Sequence, residues 1–161
     1  MSAAGVPETV VSGGQTGVDR AALDAAAELG IACGGWCPAG RRAEDGAVPA
    51  RYPLRETPSA DPAERTTWNV RDSDGTLVLT AGPLSGGTTL AIQAAHDLRR
   101  PLLVVELPAG DPEHVRRWIA DREIRTLNVA GPRETERPGI GRMAGDFLRE
   151  VLGEGQEGQG G

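Results

Sequence analysis

Short apolar segments alternate with longer segments of helical periodicity along this chain, and that order constrains the fold more than any other feature. Apolar, β-branched segments at residues 9–12, 31–36, 75–80, 102–106 and 125–130 predict buried strands. Helical spacing of apolar residues covers 17–29, 61–71, 88–100, 112–121 and a last segment from 137 or 138 to 152. Strands that alternate with helices predict a parallel sheet with right-handed crossovers. We therefore predict a single α/β domain over residues 1–152, with a parallel sheet flanked by helices, and a disordered Gly/Gln/Glu-rich tail at 153–161.

The composition narrows the class of protein further. With one Phe, one Tyr and three Trp in 161 residues, the core must consist mostly of small and aliphatic side chains. The 17 basic and 23 acidic residues give a net charge of −6, which disfavours binding to nucleic acid or to an anionic membrane. No apolar run approaches the ~20 residues that span a bilayer, and residues 1–8 lack a signal-peptide pattern. We expect a cytoplasmic protein.

The strongest local signal is a glycine-rich segment between the first strand and the first helix. Glycines there allow a sharp turn and leave amide N–H groups open to a ligand, and the helix behind them adds positive charge at its N-terminus. The segment matches neither the P-loop nor the G-x-G-x-x-G pattern, and a tight packing turn is the alternative. Our candidate ligand-binding residues here are Gly13, Gly14, Gln15, Thr16 and Gly17, with Asp19 expected at a helix cap or a ligand hydroxyl.

A second glycine-rich segment repeats this arrangement after the strand at 75–80. Two such turns at one edge of a sheet converge if their strands are neighbours, which is where open α/β sheets bind ligands. Ser85 does not match the G-x-S-x-G nucleophile pattern, so we favour hydrogen bonding to a ligand over nucleophilic catalysis. The candidate residues are Ser85, Gly86, Gly87 and Thr88.

Three further positions complete the candidate site. Arg133 follows the strand at 125–130 and offers a bidentate fork to a phosphate, although a surface pair with Glu134 is the alternative. The segment 37–59 shows no periodicity, and we expect it to fold over the ligand with Arg41 and Arg42. Asn69 is a candidate for a ligand base or sugar, although helix termination explains it equally well.

The cysteines give no indication of a metal site. Cys33 and Cys37 are spaced more widely than a C-x-x-C redox pair, and a zinc site needs two more ligands. We expect two reduced thiols.

Six motifs, in order, resemble the molybdenum carrier proteins. They are SGGQTGVDRAALD at 12–24, GGWCPAGRRAEDG at 34–46, RYPLRET at 51–57, WNVRDSDG at 68–75, GPLSGGT at 82–88 and NVAGPRE at 128–134. The family belongs to a wider superfamily that includes the lysine-decarboxylase-like Lonely guy proteins and the DNA-processing protein A domain. The resemblance spans about residues 9 to 152 and implies a Rossmann-like fold and a homo-oligomer, a dimer or a tetramer.

The resemblance also implies the ligand, which would be the molybdenum cofactor (molybdopterin), a pterin with a phosphate tail. Its dithiolene supplies the sulfur ligands of the metal, so no metal ligated by the protein is expected. Our leading hypothesis is a non-catalytic binding or carrier protein for this cofactor or for a related phosphorylated pterin or nucleotide-like ligand.

One departure from the related phosphoribohydrolases bears on catalysis. Their P-G-G-x-G-T-x-x-E motif ends in a glutamate that serves hydrolysis, and Ala91 stands at that position here. An alanine side chain cannot act as an acid or base. Two alternatives stay open: a nucleotide hydrolase that uses Asp19, Glu44 or Asp45 instead, and a nucleotide-sensing module that signals to a partner protein.

Overall fold

The computed structural model describes residues 5–153, which form nine strands and five helices. The strands are β1 (Thr9–Val11), β2 (Ala32–Gly34), β3 (Trp36–Cys37), β4 (Arg42–Ala43), β5 (Gly46–Ala47), β6 (Arg55–Glu56), β7 (Gly75–Thr80), β8 (Leu102–Glu106) and β9 (Thr126–Ala130). The helices are α1 (Val18–Glu28), α2 (Pro62–Arg71), α3 (Gly86–Asp97), α4 (Pro112–Asp121) and α5 (Ile140–Leu152). The expected disordered tail lies outside the described residues from 154 onward, whereas Gly153 is described and caps the C-terminus of α5.

A five-stranded, fully parallel sheet of order β2-β1-β9-β7-β8 forms the centre of the molecule. Every residue of β7 is buried, as expected of a strand covered on both faces. This arrangement confirms the predicted α/β fold with a parallel sheet flanked by helices. Two small sheets, β3 with β6 and β4 with β5, lie outside it.

Successive residues of the strands point to opposite faces of the sheet and meet different helices. On one face, Leu77, Leu79 and Leu127 belong to a large apolar cluster that includes buried side chains of α1, α4 and α5. On the other face, a smaller cluster joins α2 and α3 to β8. Buried alanines dominate the inner side of α1, so the helix can approach the sheet closely.

Two predicted segments differ in the structure. The strand expected at 31–36 is divided at Gly35, whose φ of +127° is strained for other residues and where a Cβ would lie 2.4 Å from the Ser12 carbonyl oxygen. The segment expected to be an irregular loop, 37–59, contains β4, β5 and β6. The sequence of this segment shows no strand periodicity because its strands are only two residues long.

Arg41 organises the segment 37–59 from within. Its guanidinium donates to four backbone carbonyls of that segment, at 2.8–3.2 Å. Those acceptors belong to Val48, Pro49, Tyr52 and Leu54. The side chain is therefore engaged inside the segment.

No helix within residues 5–153 is long and apolar enough to cross a membrane.

Candidate functional site

An open cavity of about 260 Å³ lies at the sheet edge where β1, β7 and β9 end. This is the edge at which open α/β sheets bind ligands. Eight of the predicted site residues line it: Gly13, Gln15, Asp19, Asn69, Gly86, Gly87, Thr88 and Arg133. The remaining lining residues are Pro62, Arg65, Thr66, Asn128, Val129, Ala130, Gly131 and Glu136.

The two glycine-rich turns share this cavity although their strands are not neighbours. The expected convergence assumed that β1 and β7 pair, but β9 lies between them and pairs with both. Because all three strands are parallel, their carboxyl ends still reach the same edge of the sheet. The third predicted loop, which carries Arg133, therefore lies between the other two.

In the first turn, the chain's own carboxylate takes the place expected for a ligand anion. Gln15 N–H donates to Asp19 Oδ2 at 3.3 Å, and Gly13 N–H faces the same carboxylate. Thr16 N–H donates to Gln15 Oε1 at 3.0 Å. These amide donors are thus already used within the protein.

Asp19 forms a buried ion pair with a residue that the sequence analysis did not single out. Arg65 Nη1 lies 3.8 Å from Asp19 Oδ2, and each residue is only 8% exposed. Burial raises the pKa of the Asp19 carboxyl, whereas the Arg65 charge opposes that rise. Arg65 Nη1 also donates to the carbonyl oxygen of Gly13 at 2.7 Å, which ties α2 to the first turn.

In the second turn, at the N-terminus of α3, several hydrogen-bond donors have no partner in the described part of the chain. Among residues 5–153, the N–H groups of Gly86 and Gly87 have no acceptor, and Ser85 gives no side-chain cap. Thr88 is 3% exposed, yet its Oγ1 lacks a partner in the described part of the chain. A Cβ at Gly86 or Gly87 would meet nothing within 4 Å. This combination of open space and unpaired donors fits a bound anion.

Neighbouring side chains hold the second turn in place. Arg137 donates through Nε to the carbonyl of Ala81 and through Nη2 to that of Pro83, the latter at 3.3 Å. Ser85 Oγ donates to Glu136 Oε2 at 2.6 Å, so this hydroxyl supports the loop. Burial alone would raise the pKa of Glu136, but hydrogen bonds from Ser85 and Arg133 outweigh it and lower that pKa.

Arg133 lies at the rim of the cavity with 48% of its side chain exposed. Its Nε lies 3.2 Å from Glu136 Oε1 and 3.9 Å from Glu44 Oε1. Arg133 therefore forms its ion pairs with these two residues and not with Glu134, the surface partner considered in the sequence analysis. Glu134 instead accepts the N–H groups of Gly139 and Gly141 at the start of α5. The Arg133 side chain is half exposed, whereas those of its partners Glu44 and Glu136 are only 14% and 22% exposed.

Six of the predicted residues are not on the cavity wall: Gly14, Thr16, Gly17, Arg41, Arg42 and Ser85. A Cβ at Gly14 would lie 2.6 Å from Leu54 Cδ1, which places this glycine against an apolar cluster. The hydroxyl of Thr16 donates to Glu44 and accepts from the N–H of Glu134. These contacts show that part of the first motif packs the segment 37–59 against the turn.

Asn69 lines the cavity, but its amide is used by the protein. Its Oδ1 accepts from Trp36 N–H at 2.8 Å and its Nδ2 donates to the Trp36 carbonyl at 3.0 Å. The side chain therefore fixes the backbone just after Gly35.

Two buried cavity residues, Arg65 and Asn128, were missed from the sequence. A signal for Arg65 existed, because Pro62, Arg65, Thr66 and Asn69 follow the helical spacing that places residues on one face. Asn128 stands inside a strand, where asparagine is depleted, and that mismatch was its only local signal. Within residues 5–153, no group of three or more His, Cys, Asp or Glu side chains could hold a metal ion.

Comparisons with known proteins support the resemblance drawn from the motifs. The comparison with curated proteins gave no match. Among solved structures, the chain is similar to the crystal structure of the "Putative molybdenum carrier protein" from Syntrophus aciditrophicus SB, with 42% identity over 91% of this chain and 95% of that chain and a TM-score of 0.86. A model of the circularly permutated YpsA SLOG family matches residues 10–152. The predicted Rossmann-like fold is confirmed, and this chain belongs to the circularly permutated YpsA SLOG family.

Proposed function

We propose that this protein binds or carries a phosphorylated small molecule whose phosphate lies at the N-terminus of α3. One observation carries the proposal: the N–H groups of Gly86 and Gly87 and the buried hydroxyl of Thr88 lack protein partners in the described residues and border one cavity. The Thr88 hydroxyl is buried, and a buried polar group is costly unless it has a hydrogen-bond partner, whereas Gly86 and Gly87 are exposed and their N–H groups are open to a ligand. A phosphate accepts from all three.

The contacts at this turn supply a large part of the free energy with which a small ligand would bind. A helix N-terminus stabilises a partly buried anion by up to about 2 kcal/mol, and each hydrogen bond to a charged group contributes about 1.5–3 kcal/mol. Before the costs of binding, three donors and the helix dipole together contribute roughly 6–11 kcal/mol, compared with about 8 kcal/mol for micromolar affinity, so contacts to the rest of the ligand must offset those costs. Arg133 at the rim supplies a further charge.

For the ligand, we propose the molybdenum cofactor or a related phosphorylated pterin or nucleotide-like molecule. The 42% identical relative is named a molybdenum carrier protein, which supports this class. The cavity of about 260 Å³ is slightly smaller than the range of about 300–1,000 Å³ for small-molecule sites, which favours one fused-ring system with one phosphate over a dinucleotide. When bound, the cofactor brings its own dithiolene for the metal, so the chain needs to hold only the pterin and the phosphate.

A thermal-shift experiment with a matched variant tests the proposal. Probes are the isolated cofactor, phosphorylated 6-hydroxymethylpterin and nucleoside monophosphates. A probe at 100 times its Kd adds about 2.7 kcal/mol of stability, which raises Tm by roughly 5–10 °C in a domain of this size. Gly87→Ala fills the open space beside the donors without touching the protein, so we expect it to fold normally and lose the shift.

Gly34→Ala is the control, because its Cβ makes only an ordinary 3.6 Å contact and it lies off the cavity wall. It should retain the full shift. A full shift in Gly87→Ala, or no shift in the natural protein with any probe, would contradict the proposal.

A phosphoribohydrolase-like activity is the second candidate function. Of the three carboxylates considered for it, only Asp19 lies on the cavity wall, and burial raises its pKa toward the range useful for proton transfer. Release of free base from a nucleoside monophosphate, abolished by Asp19→Asn, would establish hydrolysis. We expect no release, because Ala91 replaces the glutamate of the hydrolase motif.

We also propose that the protein is a cytoplasmic homo-oligomer, either a dimer or a tetramer. Light scattering during gel filtration should return a mass of two or four chains. A mass of one chain at micromolar concentration would contradict this part alone.

A further inference from the structure

A second set of buried polar side chains borders the same cavity away from the α3 turn. Asp19, Arg65 and Asn128 come from α1, α2 and β9, and each is more than nine-tenths buried. Polar groups buried to this extent normally have at least one hydrogen-bond partner, and each of these residues has one within the protein. All three keep some hydrogen-bonding capacity that the described residues do not use.

The hydrogen-bonding groups left unused are acceptors on Asn128 and Asp19 and a donor on Arg65. Asn128 Nδ2 donates to Thr76 Oγ1 at 3.2 Å, and its Oδ1 has no donor among residues 5–153. Arg65 uses Nη1 and Nε within the protein, and in the described part of the chain its Nη2 has no acceptor. The carboxylate of Asp19 has room for another donor beside the amides of the first turn.

The cavity therefore offers two acceptors, Asp19 and Asn128 Oδ1, and one donor, Arg65 Nη2. The complementary group on a ligand carries two donors and one acceptor. A 2-amino-4-oxopyrimidine ring presents that set along one edge: a ring N–H, an amino group and a carbonyl oxygen. Guanine and pterins both carry this edge, whereas adenine and hypoxanthine do not.

We propose that Asp19, Arg65 and Asn128 form a specificity subsite that selects phosphorylated ligands with a 2-amino-4-oxopyrimidine ring. This inference rests on the proposed function, because it assumes that the phosphate of the same ligand lies at Gly86–Thr88. It adds what that function leaves open, namely which ring the protein prefers.

Calorimetric titration of the full chain with four phosphate esters tests the subsite. The probes are guanosine, inosine and adenosine 5′-monophosphates and ribose 5-phosphate. Inosine monophosphate lacks only the 2-amino group, so we expect at least about tenfold weaker binding than for the guanosine ester, and weaker binding still for the adenosine ester. Phosphorylated 6-hydroxymethylpterin is a fifth arm, and its affinity relative to the guanosine ester distinguishes a pterin ligand from a guanine ligand.

Two variants assign the selectivity to named residues. Asp19→Asn replaces an acceptor with a group that also donates, and Asn128→Ala removes the other acceptor. Each should reduce the preference for the guanosine over the adenosine ester at least about tenfold. Asn128→Ala should keep its ribose 5-phosphate affinity, which shows that the phosphate site is intact. Asp19→Asn is also expected to lose stability, so it is titrated at a temperature at which circular dichroism shows it to be folded.

Equal affinity of the natural protein for all four esters would overturn the subsite and leave the proposed function standing. Equal binding of the guanosine and adenosine esters, with weaker binding of 2′-deoxyguanosine monophosphate, would assign the acceptors to a ribose diol and overturn the ring assignment. Absence of binding by every ester, the pterin included, would overturn the proposed function and the subsite together.

Discussion

Asp19 and Arg65 form a buried ion pair that is expected to act as one coupled unit, so that losing both charges costs less stability than the sum of the two single losses. The charged atoms are 3.8 Å apart and both residues are 8% exposed, so at an effective dielectric constant near 20 their attraction is about 4 kcal/mol. Breaking a buried pair from one side leaves an uncompensated charge and costs about 3–5 kcal/mol. Arg65→Met or Asp19→Asn alone should therefore destabilise the protein strongly.

A double-mutant cycle measures the coupling. The double variant removes both charges, so its loss of stability should be smaller than the sum of the single losses by about 2–4 kcal/mol. The bond from Arg65 to the Gly13 carbonyl is lost in both Arg65 variants and cancels in the cycle. Urea unfolding followed by the fluorescence of the three tryptophans provides the free energies.

The pH dependence of the cycle provides a second check. Burial raises the pKa of Asp19 above its ordinary value of 3.8, so its protonated form is favoured more in the folded chain than in the unfolded one. The resulting stability is present at low pH and is lost as pH rises through the folded pKa, and Asp19→Asn should abolish this dependence. Losses of the single variants that add to within about 0.5 kcal/mol at neutral pH would refute the coupled, ionised pair.

Three further predictions concern residues that shape the site. Hydrogen bonds from two threonine hydroxyls lower the pKa of Glu44 below its ordinary value of 4.5, so the Tm advantage of the natural protein over Glu44→Gln should be present at pH 7 and disappear well below pH 4.5. Gly17→Ala places a Cβ 2.4 Å from a backbone carbonyl at φ +82° and should cost about 2–4 kcal/mol, whereas Gly30→Ala, at φ +74° with nothing within 4 Å, should cost about 1–2 kcal/mol in urea unfolding. Asn69→Ala removes two hydrogen bonds to the Trp36 backbone and should cost about 1–3 kcal/mol.

Each of these has an outcome that contradicts it. A Tm difference for Glu44→Gln that is independent of pH would mean that the carboxylate charge is not what holds the segment. Equal losses for the two glycine variants would show that the close approach at Gly17 is relieved by movement of the backbone. An Asn69→Ala protein of unchanged stability would indicate that water replaces the amide.

Local patterns in the sequence were sufficient for most of the secondary structure. The strands at 75–80 and 102–106 and the helix at 112–121 have the predicted bounds, because their apolar patterns end at turn or capping residues. Asp61 caps α2 as expected, accepting from Ala63 N–H at 3.0 Å. Each of these features depends only on residues near one another in the chain.

The arrangement of the site depends on distant residues and was harder to predict. The position of β9 between β1 and β7 is set by the pairing of Val10 with Leu127 and of Thr76 with Asn128, which no local pattern reveals. The role of Arg41 was likewise hidden, because its acceptors are backbone carbonyls and carry no sequence signal.

The sequences of the two glycine-rich turns likewise could not predict which turn has free hydrogen-bond donors. Both have the composition of an anion site, and only the structure shows that Asp19 already accepts from the first, while the donors of Gly86 and Gly87 remain free in the described chain. A pattern of glycines indicates that amides are accessible, but it does not indicate what accepts from them.

The placement of the phosphate at the α3 turn is tested most directly by amide chemical shifts. A ¹⁵N-labelled sample titrated with a phosphate ester should show its largest shift changes at Gly86, Gly87 and Thr88, with smaller changes at Gly13 and Gln15. Saturable changes confined to residues 13–17, with Gly86 and Gly87 unmoved, would contradict the assignment and place the anion on the first turn.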